Sequence, residues 1–232
     1  MKYHLLTAAA LLGLSAPAYA QDVSGFRIEG RVGWDQASAD ASFPNPDYDE
    51  DDEDSEEFLT WSDDHSSVAF GAEIGYDVQI GSSFVLGAYA GAEFSDSEIC
   101  GELIEDDLTC AGIERTFTLG ARAGVPLGQS SLVYVKGGYS NGKFDVTYDD
   151  DVTDNDDDDA GDILSWSETL DGYHVGGGLE LGLTRRLYAK LEYVYTNFGN
   201  QAYLPEDADA DDPALRIGSD RHQVFAGVGL RF

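Results

Sequence analysis

The last eleven residues read His222-Gln223-Val224-Phe225-Ala226-Gly227-Val228-Gly229-Leu230-Arg231-Phe232. Val224, Ala226, Val228, Leu230 and Phe232 fall on one side of an extended chain. Gln223, Phe225, Gly227, Gly229 and Arg231 fall on the other, which is the period-2 pattern of a strand with a single apolar face. What that apolar face meets is decided by the rest of the chain.

The same alternation recurs upstream, giving eight strand-like runs at about residues 25–37, 67–78, 84–95, 115–125, 132–146, 169–183, 187–198 and 221–232. Most exceed the five or six residues common in soluble domains and match the roughly 9–11 residues that a tilted strand needs to cross a bilayer. The second, fourth and sixth connections are tight, at Gln79-Ile80-Gly81-Ser82-Ser83, Pro126-Leu127-Gly128-Gln129-Ser130 and Thr184-Arg185-Arg186. The first, third, fifth and seventh run to about twenty residues or more. The expected fold is therefore all-β: an eight-stranded antiparallel up-and-down transmembrane β-barrel, with short periplasmic turns, four long acidic extracellular loops and both chain ends in the periplasm.

Residues 1–20 have the form of a secretory leader, with Lys2 ahead of an apolar core from Leu5 to Leu14 and a small-x-small cleavage site at Ala18-Tyr19-Ala20. The barrel domain then spans residues 21–232, and Gln21 in first position argues against a lipoprotein anchor. No run reaches the roughly 20 apolar residues of a membrane helix, so a membrane could be spanned only by a closed sheet. The net charge of −32 coexists with 42% hydrophobic residues, 13 tyrosines and 27 glycines, so the charge must be segregated along the chain. So acidic a chain would repel phosphates, which excludes nucleic acid as a partner.

Each run opposes an apolar face to one of glycine and charge. Phe26, Ile28, Val32 and Trp34 oppose Arg27, Glu29, Arg31 and Asp35; Val68, Phe70, Ala72, Ile74 and Tyr76 oppose Gly71, Glu73, Gly75 and Asp77. A soluble barrel would show the same alternation with the apolar face inward, but glycine weakens a water-facing strand and suits the crowded concave side of a narrow barrel. The lipid-facing orientation follows, with glycines and charges inside. Outward aromatics fall at two heights, Phe26, Tyr76, Phe84 and Phe232 toward the short turns and Trp34, Phe70, Phe94, Phe117, Tyr139, Tyr173 and Tyr195 toward the long connections, as two interfacial girdles require.

The stretches Val135-Lys-Gly-Gly-Tyr139, Tyr173-His-Val-Gly-Gly-Gly-Leu-Glu180 and Lys190-Leu-Glu-Tyr-Val-Tyr-Thr-Asn-Phe198, followed by the terminal strand, resemble the eight-stranded outer-membrane barrels related to OmpA and the opacity proteins, especially the porin-family outer-membrane proteins of alphaproteobacteria. The resemblance covers nearly all of the mature chain and stops with the barrel, so a peptidoglycan-binding role is not carried over. It implies the bacterial outer membrane as location. It also implies that Phe232 is the signal read by the barrel-assembly machinery during insertion.

By parity, Arg27, Arg31, Arg122, Lys136, Lys190 and Arg231 face inward with Glu29, Glu73, Asp77, Glu93, Glu180 and Glu192, six against six, with Asp35 expected at the rim. Unpaired charges in a narrow lumen cost several kcal/mol each, so the balance predicts a cross-strand ion-pair network that plugs the barrel. A small porin-like channel lined by the same charges is the alternative.

Of 45 acidic residues, 35 lie in the four long connections as bounded here, opposed there only by Arg216. Such blocks suit solvent, or hard cations such as Ca²⁺ or Mg²⁺ shared with lipopolysaccharide phosphates. Asp154, Asp156 and Asp158 are the candidates for diffuse calcium binding; Asp154-Asn-Asp-Asp-Asp-Asp-Ala-Gly161 lacks the sixth-position glycine and twelfth-position glutamate of an EF-hand. No other metal or cofactor is expected. Cys100 and Cys110, close together in an exported chain, favour a disulfide worth on the order of 3 kcal/mol.

His65, His174 and His222 are the histidines outside the leader, and no nucleophile elbow accompanies them, so a rim-located hydrolase ranks below a non-enzymatic reading. His174 reads as a filler of the ion-pair network. The expected protein is a monomeric surface barrel in contact with outer-membrane lipid and lipopolysaccharide. Its acidic loops would serve envelope integrity, cation or lipopolysaccharide interaction, or adhesion.

Overall fold

The computed structural model describes residues 23–44, 58–101, 108–128, 130–149, 164–203 and 215–232. These hold eight strands: β1 (Gly25–Pro44), β2 (Phe58–Ile80), β3 (Phe84–Gly101), β4 (Leu108–Leu127), β5 (Ser131–Asp149), β6 (Leu164–Gly182), β7 (Leu187–Tyr203) and β8 (Leu215–Arg231). Each pairs antiparallel with the next, and β8 returns to β1 through Arg27↔Arg231 to Ser42↔Arg216, which closes the barrel.

Burial is inverted relative to a soluble protein. Along β1 the exposed Phe26, Ile28, Val32 and Trp34 alternate with the buried Arg27, Glu29, Arg31 and Asp35, and the other strands follow suit. The polar face is thus the concave one, as the glycine argument required. At the short-turn end Gly81 and Gly128 take φ of 64° and 67°, the left-handed conformation that glycine adopts without a Cβ clash. In the β6–β7 turn the Thr184 hydroxyl accepts the N–H groups of Arg186 and Leu187 at 3.3 and 3.0 Å.

The strands are longer than the apolar pattern predicts, running from 17 to 23 residues. β1 continues past residue 37 to Pro44, and β2 begins at Phe58 rather than near 67. Asp40, Asp63, Asp64, Asp96, Glu98, Glu114, Asp149, Glu168 and Asp220, assigned above to loops, lie on strands, as does Arg216. The cause is physical: alternation ends where the apolar surroundings end, but a backbone ladder continues as long as a neighbour supplies hydrogen bonds. The leader and residues 45–57, 102–107, 150–163 and 204–214 lie outside the described residues.

The ladders also end at different heights. β2 and β3 pair from Ile80↔Phe84 up to Ala69↔Ser95, and β6 and β7 from Gly182↔Tyr188 up to Tyr173↔Asn197, whereas the β1–β2 ladder reaches Pro44↔Phe58.

Candidate functional site

The inward side chains of the closed section build one continuous polar site. All twelve charges read from parity are buried there, and two more join them: Arg221 and Asp35, which is fully buried and not at the rim. Among the described residues the lumen therefore holds seven cations, Arg27, Arg31, Arg122, Lys136, Lys190, Arg221 and Arg231, against seven carboxylates, Glu29, Asp35, Glu73, Asp77, Glu93, Glu180 and Glu192.

They form three tiers. Nearest the short turns, Arg122 holds Asp77 bidentately, Nε to Oδ1 at 2.9 Å and Nη2 to Oδ2 at 2.6 Å, and reaches Glu180 at 2.5 Å. Arg231 bridges the same two carboxylates at 3.3 and 2.9 Å. At mid-height Arg31 donates to Glu93 at 2.5 Å, Glu192 at 2.8 Å and Glu73 at 3.3 Å, while Lys136 donates to Glu73 at 2.6 Å and Glu192 at 3.2 Å. Lys190 joins Glu29 to Glu192. In the tier nearest the long connections, Arg221 is bidentate on Asp35 and donates to Thr116 at 2.8 Å, with the Ser95 hydroxyl donating to Asp35 at 2.7 Å.

Arg27 is held differently. Its guanidinium lies 2.7 Å from Glu73, 3.1 Å from Glu29 and 3.5 Å from Asp77, yet none of its N–H groups is aligned for a hydrogen bond. Charge fixes it more than directionality does. The group sits over Gly75, where an added Cβ would come within 2.7–2.8 Å of three guanidinium atoms.

A repeated arrangement explains the glycine-rich face. Tyr89 lies opposite Gly120, Tyr134 opposite Gly178, Tyr188 opposite Gly229, and Phe225 opposite Gly33. In each case the ring occupies the space that a Cβ on the glycine would take. This is the cross-strand covering of glycine by an aromatic that pins register. Each ring also carries a cation: Lys136 over Tyr89 at 4.2 Å, Arg122 over Tyr134 at 4.9 Å, Arg231 over Tyr188 at 4.9 Å and Arg31 over Phe225 at 4.8 Å. Such a contact, desolvated, contributes up to about 2 kcal/mol. The phenols add acceptor satisfaction, Tyr134 donating to Glu192 at 2.5 Å and Tyr188 to Glu29 at 2.7 Å.

Both ends of the polar site meet apolar side chains. Val23, Val85, Leu132 and Tyr134 cluster at the short-turn end. Ala37 and Phe198 pack with Phe144 and Leu170 at the other. The ionic tiers lie between two apolar layers.

The histidines are apart from any acid–base pairing in this network. His174 is buried between the Tyr89 hydroxyl at Nε2, 2.5 Å, and Ser140 at Nδ1, 2.8 Å, so it fills the lumen through hydrogen bonds beside the ion pairs. His222 faces outward, hydrogen-bonded to Tyr193 at 2.7 Å and 3.4 Å from Asp220. His65 stands opposite Ala37 in the β1–β2 ladder.

On the outer face, Phe26 lies opposite Tyr76 and its ring is 6.4 Å from that of Phe232. Higher up, Phe70 stacks on Phe94 at 5.8 Å and Tyr139 stands opposite Tyr173. Cys100 is the register partner of Cys110 on adjacent antiparallel strands. Asp154, Asp156 and Asp158 lie outside the described residues.

Parity located the ionic side chains but not their partners. Asp35 was expected at the rim, and Arg221, which obeys the same inward parity, was left out of the count although it opens the last strand-like run. The aromatic–glycine pairs had no signal in one sequence, since they depend on which strands adjoin and at what register.

A family model for the outer membrane protein beta-barrel domain matches residues 6–232. The chain belongs to this outer-membrane β-barrel family. It is 28% identical over 211 residues to the 31 kDa outer-membrane immunogenic protein of Brucella melitensis, covering 88% of this chain and 82% of that one. It is also 28% identical over 175 residues to the 22 kDa outer membrane protein of Rhizobium leguminosarum, covering 73% and 69%. Among solved structures, the attachment invasion locus protein Ail of Yersinia pestis aligns with a TM-score of 0.42 and 13% identity over 90% of this chain and 99% of that one. The barrel is thus an outer-membrane protein, and the exposed apolar face of its closed section is its lipid-facing surface.

Proposed function

We propose that this outer-membrane barrel is a closed-lumen surface anchor: a rigid, non-enzymatic body with its short turns in the periplasm and its long acidic connections outside, serving envelope integrity and contact with lipopolysaccharide or external partners. The single observation that carries this reading is the filled lumen, in which seven buried cations meet seven buried carboxylates between two apolar layers. A water-filled pore would leave such side chains hydrated and separated. An eight-stranded barrel is only just wide enough to be filled by its own side chains, as here. Reconstitution into planar bilayers tests it: the expected result is no stable conductance, and stable multi-nanosiemens openings would overturn the anchor in favour of the small channel.

The outer acidity supports a partner that brings positive charge, either divalent cations bridging to lipopolysaccharide phosphates or a cationic surface. Residues Asp154, Asp156 and Asp158 are the proposed diffuse calcium ligands. Calorimetry on detergent-folded protein should show a calcium heat that is lost when they are changed to asparagine. The proposed Cys100–Cys110 disulfide is supported by their register, because directly opposed antiparallel residues have Cα atoms about 4.5–5.5 Å apart, within the range a disulfide spans. Phe232 closes the apolar face of the terminal segment and is proposed as the mark read by the barrel-assembly machinery. Against a rim hydrolase stands His222, whose hydroxyl partner is the phenol of Tyr193, a poor nucleophile at neutral pH.

A further inference from the structure

The cations that the lumen does not use are few, and two of them stand together. Of 13 lysines and arginines, Lys2 belongs to the leader, seven are buried in the lumen, and Arg185 and Arg186 lie in the β6–β7 turn. That leaves Arg115, Lys143 and Arg216 for the long-connection half of a chain with 45 acidic residues. Arg115 of β4 and Lys143 of β5 are direct register partners. Like charges opposed across neighbouring strands repel, so the pairing costs stability unless an anion lies against it.

Both side chains face outward. Arg115 lies two residues beyond the exposed Phe117, and its guanidinium rests over that ring, 4.7 Å from the centroid. Lys143 shares the outward parity of the exposed Tyr139. A bulge prepares the arrangement: Ile113 pairs with Phe144 and Arg115 with Lys143, so Glu114 is an extra residue in β4. Its carboxylate meets Lys143 at 2.6 Å in an exposed pair that an incoming anion can displace at little cost. Among the described residues no carboxylate pairs with Arg115. The exposed Thr169 of β6 stands opposite Lys143 on the other side. One row nearer the membrane, Asp171 is occupied, accepting from the Tyr139 hydroxyl and from Asn141 at 2.8 Å.

Depth decides the class of anion. Phe117 and Tyr139 belong to the upper ring of outward aromatics, and so does Phe94, which stands opposite Arg115. Such rings mark the border between acyl chains and headgroups. A guanidinium lying on one of them, beside an ammonium, is placed where the plentiful anion is lipid phosphate, which both groups bind well. The β8–β1–β2 side has no counterpart. Beyond Val224, Trp34 and Val68 its outward groups include His222, Asp220, Gln36 and Asp64, the last accepting from the Ser38 hydroxyl.

We propose that Arg115 and Lys143 form a site for the phosphate of an outer-leaflet lipid headgroup, with the Thr169 hydroxyl as a further donor. Lipopolysaccharide is then held by direct contact between cation and phosphate on the β4–β6 side of the wall, and not through divalent ions alone. The proposal deepens the lipopolysaccharide contact argued above and rests on that reading for which leaflet the site meets. The phosphate neutralises two opposed cations to which the wall itself supplies one carboxylate, and Glu114 competes with it for Lys143.

Native mass spectrometry of the detergent-folded full chain tests this, with EDTA present to strip divalent ions. The probes are diphosphoryl lipid A, the same lipid without its phosphates, dioleoyl phosphatidic acid and inorganic phosphate. One diphosphoryl lipid A should be retained per barrel, about tenfold more tightly than its phosphate-free form. Arg115→Gln and Lys143→Gln should each weaken it by about fivefold, the effect of one cation near a headgroup. Glu114→Gln should strengthen it, and Arg186→Gln, in the turn at the other end, should leave it unchanged. Phosphatidic acid held with the same dependence on Arg115 would support the site and make a glycerophospholipid its source. Equal retention of the phosphate-free lipid, indifference to Arg115→Gln and Lys143→Gln, or displacement of the lipid by inorganic phosphate would each overturn the proposal. Retention that appears only when calcium is restored would also overturn it, while leaving the divalent-bridged contact standing. Lumen conductance plays no part in these measurements, so the closed-lumen anchor fails by a separate observation.

Discussion

Below the upper aromatic ring and beyond it, the same eight strands treat charge in opposite ways. In the closed section seven cations and seven carboxylates are buried and matched one tier at a time. Beyond it, the strand segments 58–68, 96–101 and 164–172 carry six carboxylates and no lysine or arginine. The difference is solvent. Where lipid surrounds the wall and side chains fill the lumen, an unmatched charge has no water to turn to, and the sequence must balance. Where water reaches both sides of a strand, imbalance costs little.

This comparison breaks most readily at Arg122. Arg122→Met leaves Asp77 and Glu180 buried with one fewer cation, and should lower the stability of the vesicle-folded barrel by about 3–5 kcal/mol, measured by urea titration. A change under about 1 kcal/mol would mean that water enters the tiers. Val175→Arg, which puts a charge on the lipid face, should cost about 2–4 kcal/mol in the same titration. Comparable tolerance of arginine at Val175 and at an exposed position on these segments would erase the distinction between the two regions.

Glycine provides a finer test. Gly120→Ala sets a Cβ against the Tyr89 hydroxyl and the Gly137 carbonyl, and should cost about 1–3 kcal/mol. Gly137→Ala, on the lipid side, meets only the His174 carbonyl at 3.3 Å and a Val175 methyl at 3.8 Å, and should move stability by less than about 1 kcal/mol. The smallest effect is expected at the exposed Asp64: Asp64→Asn keeps an oxygen that accepts from the Ser38 hydroxyl and should leave stability within about 0.5 kcal/mol, since surface substitutions away from buried features usually do. A larger gain on removing this charge would show that repulsion among neighbouring carboxylates costs stability there.

The repeated aromatic, glycine and cation sets indicate how a narrow lumen can be both polar and rigid. A glycine lets the neighbouring strand's ring lie flat against the wall, and the ring in turn gives a guanidinium or ammonium a surface to rest on while its N–H groups reach carboxylates. Tyr134 does all of this at once, covering Gly178, carrying Arg122 and donating to Glu192. Removing the hydroxyl with Tyr134→Phe should cost about 1.5–3 kcal/mol, because the lost bond is to a buried charged acceptor. The same urea titration would read it.

From sequence alone, strand number, closure and the direction of each face could be read, because side chains alternate with period 2 and a membrane penalises any polar group turned toward it. All fourteen buried lumen charges among the described residues obey that parity, and twelve of them were counted from it. Which strands stand opposite one another at each height did not follow, because register is a relation between segments distant in the chain. Tertiary structure therefore decided that Asp35 meets Arg221, that His174 meets Tyr89, that four rings cover four glycines, and that the β2–β3 and β6–β7 ladders end at Ala69↔Ser95 and Tyr173↔Asn197. Apolar patterning falls silent once a strand leaves the membrane, and from there only the backbone ladder shows where the sheet continues and where it ends.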